Sequence, residues 1–189
     1  QKLRGFVFYP ILWLLNALGI SAIFITNLRL VLGIVFLWWF WRDQYAAAIF
    51  MVFVIFLDTI DGALARFQGT TSDRGKFLDI VVDHCIYVFI LFTFPTLGAL
   101  MPLVFYNLFI TIVAYLLGAV SKGEARPSDW LIKPAPQLSY LKAVIVIPFF
   151  LLVLWDINWL NEALWLANIL ATVLGVYYFI TLQRRWKFV

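Results

Sequence analysis

The sequence predicts an all-α polytopic membrane protein, with six transmembrane helices preceded by an N-terminal interfacial helix. Three observations carry that expectation. Of 189 residues, 65% are hydrophobic and only 13% charged, whereas a soluble domain has about 45–50% apolar and about 25% charged residues. The apolar residues fall into six runs, each close to the roughly 20 residues a helix needs to cross a bilayer. The runs also lack the apolar-out, polar-in alternation of transmembrane barrel strands. A water-soluble domain, a disordered chain and, with Cys85 the only cysteine, a disulfide-stapled module are excluded.

The first stretch, Leu3 to about Leu18, is apolar but interrupted by Gly5, Pro10 and Asn16. It reads as a juxtamembrane helix lying in the interface, with residues 1–20 forming that segment and 21–189 the six-helix transmembrane domain. The spans follow at Ala22–Trp41, Tyr45–Phe67, Gly75–Thr93, Ala99–Ser121, Tyr140–Trp155 and Ala163–Leu182. Trp38, Trp39 and Trp41 suit the aromatic belt at one end of the first span.

Six spans return the chain to the side on which it starts. Lys2, Arg4, Arg29, Arg66, Arg74, Lys76, Lys122, Arg126, Lys133, Lys142, Arg184, Arg185 and Lys187 fall on that side, and only Arg42 falls opposite, beside Asp43. Such asymmetry places both termini in the cytoplasm. The net charge of +4 then reflects topology and contact with anionic membrane lipids rather than nucleic acid.

The second and third spans carry Asp58, Asp61, Asp79 and Asp83, with Arg66 and Arg74 nearby. Each ionisable residue at membrane depth costs about 2.5–3.5 kcal/mol on insertion scales, so it needs a partner or a wet cavity. Four carboxylates against one or two arginines are not neutralised by ion pairing, and a divalent metal supplies the missing positive charge. At about 100° per residue, Asp58, Asp61, Gly62, Ala65 and Arg66 share one helical face roughly 140° wide. On the next helix Gly75, Asp79 and Asp83 stand four apart, one above another. The short turn Gln68–Asp73 makes the two helices antiparallel neighbours, so both faces converge on one site. Oxygen ligands without a Cys/His cluster favour Mg²⁺, Mn²⁺ or Ca²⁺ over zinc. Mg²⁺ held by few carboxylates shares its shell with phosphates, and Arg66 would offer planar donors to them.

In full, the pattern is Asp58-x2-Asp61-Gly62-x2-Ala65-Arg66-x8-Gly75-x3-Asp79-x3-Asp83. It resembles the signature of the CDP-alcohol phosphotransferase (CDP-alcohol phosphatidyltransferase) family at every motif position. The resemblance implies an integral-membrane fold of an interfacial helix and six transmembrane helices, a cytoplasm-facing site between helices two and three, and a homodimer. It implies a metal-dependent transferase in which an alcohol displaces CMP from a CDP-linked donor such as CDP-diacylglycerol, forming a phosphodiester in phospholipid biosynthesis. Asp58, Asp61, Asp79 and Asp83 would bind two divalent cations, Mg²⁺ or Mn²⁺, and Asp83 would deprotonate the attacking hydroxyl. Asp61, Gly62, Ala65, Arg66 and Gly75 would form the donor site, with Arg66 on the phosphates. Many members open the first span with Pro-Asn-x2-Thr-x2-Arg; Thr26 and Arg29 fit, while Ala22 and Ile23 stand in place of Pro and Asn.

The segment from Lys122 to Lys142 carries Lys122, Arg126, Lys133 and Lys142 among three prolines. Lys122, Arg126 and Lys133 are candidates for binding a phosphorylated acceptor, such as an inositol phosphate or glycerol phosphate; topology with Glu124 and Asp129 as partners is the alternative. His84 points about 100° from the carboxylate face and reads as a hydrogen-bonded packing residue. Arg29 either snorkels toward the cytoplasm or approaches the phosphate site. A cation channel or transporter would also use intramembrane carboxylates, but does not require Gly62, Ala65, Arg66 and Gly75. A polytopic prenyltransferase would need a second Asp-rich motif.

Overall fold

Helices account for nearly all of the described chain. The computed structural model describes residues 2–121 and 136–186, with side chains over 8–118, at 120 and over 142–184. The helices are α1 (Lys2–Ala17), α2 (Ala22–Phe40), α3 (Gln44–Phe67), α4 (Asp73–Thr93), α5 (Met101–Ser121), α6 (Pro136–Trp155) and α7 (Leu160–Trp186). A 3₁₀ turn, Phe94–Leu97, extends α4, and no strand occurs among the described residues. The all-α polytopic expectation holds.

Among the described residues five helices, α2 to α5 and α7, are long and apolar enough to cross a membrane, with 33–39% of each span buried within the protein. The remainder carries large exposed apolar side chains such as Phe53, Phe105, Phe109 and Val173, as suits helices that face lipid. The fifth expected span corresponds to α6, of which Lys142–Trp155 is apolar and contains Pro148. At 1.5 Å per residue, the 16 residues of α1 extend only about 24 Å.

The chain forms two compact units that divide after Phe89. In the first, α3 packs against both α1 and α2. Leu12 of α1 is buried with Ala22, Ile25, Ile60 and Leu64, while Tyr9, Trp13 and Leu14 on its other faces are exposed. The Gln68 side chain donates to the Ile20 carbonyl oxygen at 2.8 Å, tying the end of α3 to the turn before α2. Ser21 caps α2 through the Phe24 amide at 3.2 Å, and Asp43 caps α3 through Ala46 at 3.0 Å.

Two features set the spacing around the acidic segments. Gly69 has φ +65° and ends α3, with the Thr70 amide donating to the Ala65 carbonyl at 3.0 Å; the left-handed backbone lets glycine reverse the chain here cheaply. Ser72 then caps α4, its hydroxyl accepting from the Gly75 amide at 3.1 Å. Between α2 and α4, a Cβ on Gly33 would lie 2.5 Å from Ile86 Cδ1 and 2.8 Å from Phe89 Cδ2. Glycine is therefore what admits this close approach.

In the second unit, α7 packs against α5 and α6. Small residues again admit close contact: Gly118 lies against the Tyr178 ring, and Gly175 faces Ala114. Buried Asn107 donates to Asn168 Oδ1 at 2.8 Å, and Asn168 donates to the Leu103 carbonyl at 3.1 Å. These bonds satisfy amides that would be costly unpaired in an apolar setting.

Candidate active site

Helix periodicity places Asp58 and Asp61 one turn apart on α3, and Asp79 and Asp83 one turn apart on α4. The structure brings the four together around a residue from a third helix. Arg29 of α2 lies with Nη1 2.7 Å from Asp58 Oδ1, 3.1 Å from Asp61 Oδ2 and 2.9 Å from Asp79 Oδ1. Its Nη2 lies 2.6 Å from Asp83 Oδ1. The Arg29 and Asp61 side chains are each 3% exposed, whereas those of Asp58, Asp79 and Asp83 are 38–42% exposed. The site thus has a buried floor and an open acidic rim. The Thr26 hydroxyl completes the floor, 3.0 Å from Asp61 Oδ2.

One guanidinium against four carboxylates leaves a formal charge of −3. Unbalanced charge of that size, gathered at one point between apolar helices, calls for further cations. Asp58, Asp61 and Asp79 each bring a carboxylate oxygen within 4.8 Å of the others, a spacing that suits shared coordination of one hard divalent cation. The sequence leaves Arg29 between snorkelling and phosphate contact; the structure instead buries it among the carboxylates. The available signal is the charge imbalance, because an arginine two turns inside an apolar span needs anionic partners.

Beside the acidic rim opens a cavity of about 380 Å³. Asp61, Gly62, Ala65 and Arg66 line it from α3, and Gly75, Lys76 and Asp79 from α4. All five residues expected at the donor site therefore share one cavity. Ala22, Ile23 and Thr26 of α2 also line it, as do Thr70 to Ser72 of the turn; these walls are not evident from the two Asp-bearing helices alone. A Cβ on Gly62 would meet the Arg66 guanidinium at 3.5 Å, so that guanidinium spreads over the glycine. Arg66 is exposed and makes no ion pair among the described residues. Its planar donors face a cavity able to hold an anion.

The sequence matches the CDP-alcohol phosphatidyltransferase family over residues 20–177. The chain belongs to this family. Among curated proteins none matches the sequence. A solved structure similar to this CDP-alcohol phosphatidyltransferase is that of Mycobacterium tuberculosis phosphatidylinositol phosphate synthase in complex with manganese and citrate. It shares 17% identity, covers 92% of this chain and 88% of its own, and superposes with a TM-score of 0.68, so the likeness is one of fold. The family carries out phosphatidyl transfer from a CDP-linked donor to an alcohol.

The remaining sequence-derived residues are less central. His84 has Nδ1 2.7 Å from the Ile80 carbonyl, a hydrogen bond within its own helix. Asp73 pairs with Lys76 at 3.1 Å on an exposed surface. Arg74 is exposed and lies outside the acidic cluster. The expected acceptor residues Lys122, Arg126 and Lys133 lie outside the described residues.

Proposed function

We infer that this phosphatidyltransferase moves the phosphatidyl group of CDP-diacylglycerol onto the hydroxyl of a polar alcohol and releases CMP on the cytoplasmic side. The observation that carries the reading is the joining of the four-carboxylate cluster to a cavity lined by Gly62, Ala65, Arg66 and Gly75. Acidic groups alone would equally serve a cation channel or transporter. An anion-facing arginine and glycine-lined walls beside them favour a phosphate-bearing nucleotide.

In this reading the donor's cytidine head enters the cavity and Arg66 binds its phosphates. Gly62 and Gly75 leave the cavity wall without a Cβ at two positions, which permits close approach of the nucleotide. Asp58, Asp61, Asp79 and Asp83 would hold Mg²⁺ or Mn²⁺, two ions in all, and bound cations would neutralise the diphosphate and the charge growing on the departing CMP. Asp83 takes the proton of the attacking hydroxyl. The alcohol oxygen bonds to the phosphorus carrying the lipid, the bond from that phosphorus to the CMP oxygen breaks, and the proton leaves through Asp83 to water. In this reading the lipid donor enters from the bilayer side and CMP leaves to water. Lys122, Arg126 and Lys133 would bind the phosphate if the acceptor is an inositol phosphate or glycerol phosphate. An interfacial α1 and a homodimer belong to the same reading.

The test is CMP release by purified, folded protein given CDP-diacylglycerol, Mg²⁺ or Mn²⁺, and a panel of phosphorylated and free alcohols. CMP release with one acceptor class supports the reading and names the acceptor. No release with any acceptor and either metal overturns it.

A further inference from the structure

The coordination of Arg29 is unlike that of a permanent ion-pair partner. Each Nη of a guanidinium carries two hydrogens and Nε carries one. Around Nη1 stand three carboxylate oxygens, at 2.7, 2.9 and 3.1 Å. Two of them, on Asp61 and Asp79, take its hydrogen bonds. Asp58, at the shortest distance, interacts through charge alone. Meanwhile the buried Nε has no hydrogen-bond partner. A structural arginine–carboxylate pair characteristically uses the planar fork, with parallel N–H donors on one carboxylate. Here the fork is left half unused, while three anionic oxygens crowd a single nitrogen. Three oxygens around one centre is the preference of a point cation.

The geometry points to Arg29 as a displaceable counter-ion, with Nη1 at the position a divalent cation takes among Asp58, Asp61 and Asp79. The inference rests on the metal-assisted reading above and concerns what the metal must displace. Guanidinium and cation exclude one another at these three oxygens, because both need the same lone pairs within bonding distance. Withdrawal of Nη1 does not strand the arginine. Nη2 already donates to Asp83 at 2.6 Å, and the unpaired Nε–H lies on the same edge of the guanidinium, ready to complete a fork on that carboxylate. Arg29 therefore holds four mutually repelling carboxylates together until a metal arrives, and removing it from three of them sets part of the metal's affinity. Nothing in Asp58, Asp61 or Asp79 has to move far for the exchange, since their oxygens already surround one point.

The experiment is Mn²⁺ binding to purified protein in detergent, read by the electron paramagnetic resonance of free Mn²⁺, with thermal unfolding in EDTA and in Mn²⁺ alongside. Arg29→Gln removes the competing charge and is expected to bind its first Mn²⁺ at least tenfold more tightly than the unsubstituted protein. Its melting temperature is expected to fall in EDTA and recover in Mn²⁺, a larger swing than the unsubstituted protein shows. Arg29→Lys, which keeps a cation, is expected to bind more weakly than Arg29→Gln. If the unsubstituted protein binds Mn²⁺ and Arg29→Gln binds equally or less tightly, the counter-ion role is overturned while the metal reading stands. If neither binds Mn²⁺, both fall. Should Arg29→Gln not fold, the unsubstituted protein decides: the slowest-exchanging arginine side-chain ¹⁵N resonance is expected to shift on Mg²⁺ addition, and a resonance that stays in place overturns the inference.

Discussion

Asp83 and Arg66 meet the same cluster from opposite chemical directions, one as an anion at its rim and the other as a cation over the adjoining cavity. Asp83 gives one oxygen to Arg29 at 2.6 Å and its side chain is 38% exposed, so a substrate hydroxyl can reach it. Asp83→Asn keeps an oxygen that can accept from Arg29 but loses basicity. Because a positioned base contributes about 10²–10⁴-fold, turnover is expected to fall by at least roughly 100-fold while CDP-donor binding in Mn²⁺ persists. CMP release together with equilibrium donor binding checks this, and unimpaired turnover would remove the base role. Arg66 has no carboxylate to lose among the described residues, so Arg66→Ala isolates its contact with the donor. A hydrogen bond to a charged group contributes about 1.5–3 kcal/mol, which corresponds to a roughly 10- to 100-fold rise in the donor's KM. A donor KM that does not change would place Arg66 outside the phosphate site.

The acidic cluster depends on how closely α2 approaches α4, and that distance is set one turn from Arg29. Gly33 follows Arg29 by four residues on the same face of α2, and its missing side chain accommodates Ile86 and Phe89. Ile86 is 5% exposed, so it has little room to yield. Gly33→Leu drives four carbons into that contact; overpacking of this kind costs about 1–3 kcal/mol. The wedge also moves Arg29 away from Asp79 and Asp83, both of which belong to α4. The expected result is a lower melting temperature together with tighter Mn²⁺ binding, because a guanidinium drawn back from these oxygens competes less with the cation; both are read by thermal unfolding and metal titration of one preparation. A variant that loses stability but binds Mn²⁺ normally would show that the α2–α4 spacing does not govern the site. The helices themselves were legible because span-forming hydropathy is local in sequence, and so were the four carboxylates, whose spacing of three and four residues is a local property of one helix. Arg29 was not assigned to them, because its partners lie 29 to 54 residues away and only tertiary pairing selects them. The cavity wall from Ala22, Ile23 and Thr26 was hidden for the same reason.

Orientation in the bilayer follows from charge summed along the entire chain, and here the local structure adds to the sequence argument. Arg42, the one cation expected on the outer side, stacks over the Trp38 ring at 4.1 Å. Trp38 and Trp41 beside it are 60% and 64% exposed, as suits indoles placed between lipid and water. Arg42 is therefore engaged locally, with Asp43 as its neighbour and the cap of α3, and weakens the inward bias little. At the other end of α3, the turn through Thr70 connects to the cavity and is flanked by Arg66, Arg74 and Lys76. The expected topology puts this turn in the cytoplasm and the α2–α3 turn outside. Because Cys85 is the only cysteine, a Cys85→Ala background allows one reporter at a time. In intact cells, a membrane-impermeant maleimide is expected to label Gln44→Cys directly and Thr70→Cys only after permeabilisation. The opposite pattern would invert the protein in the membrane and place CMP release outside the cell, where a CDP-linked donor drawn from the inner leaflet could not reach the site.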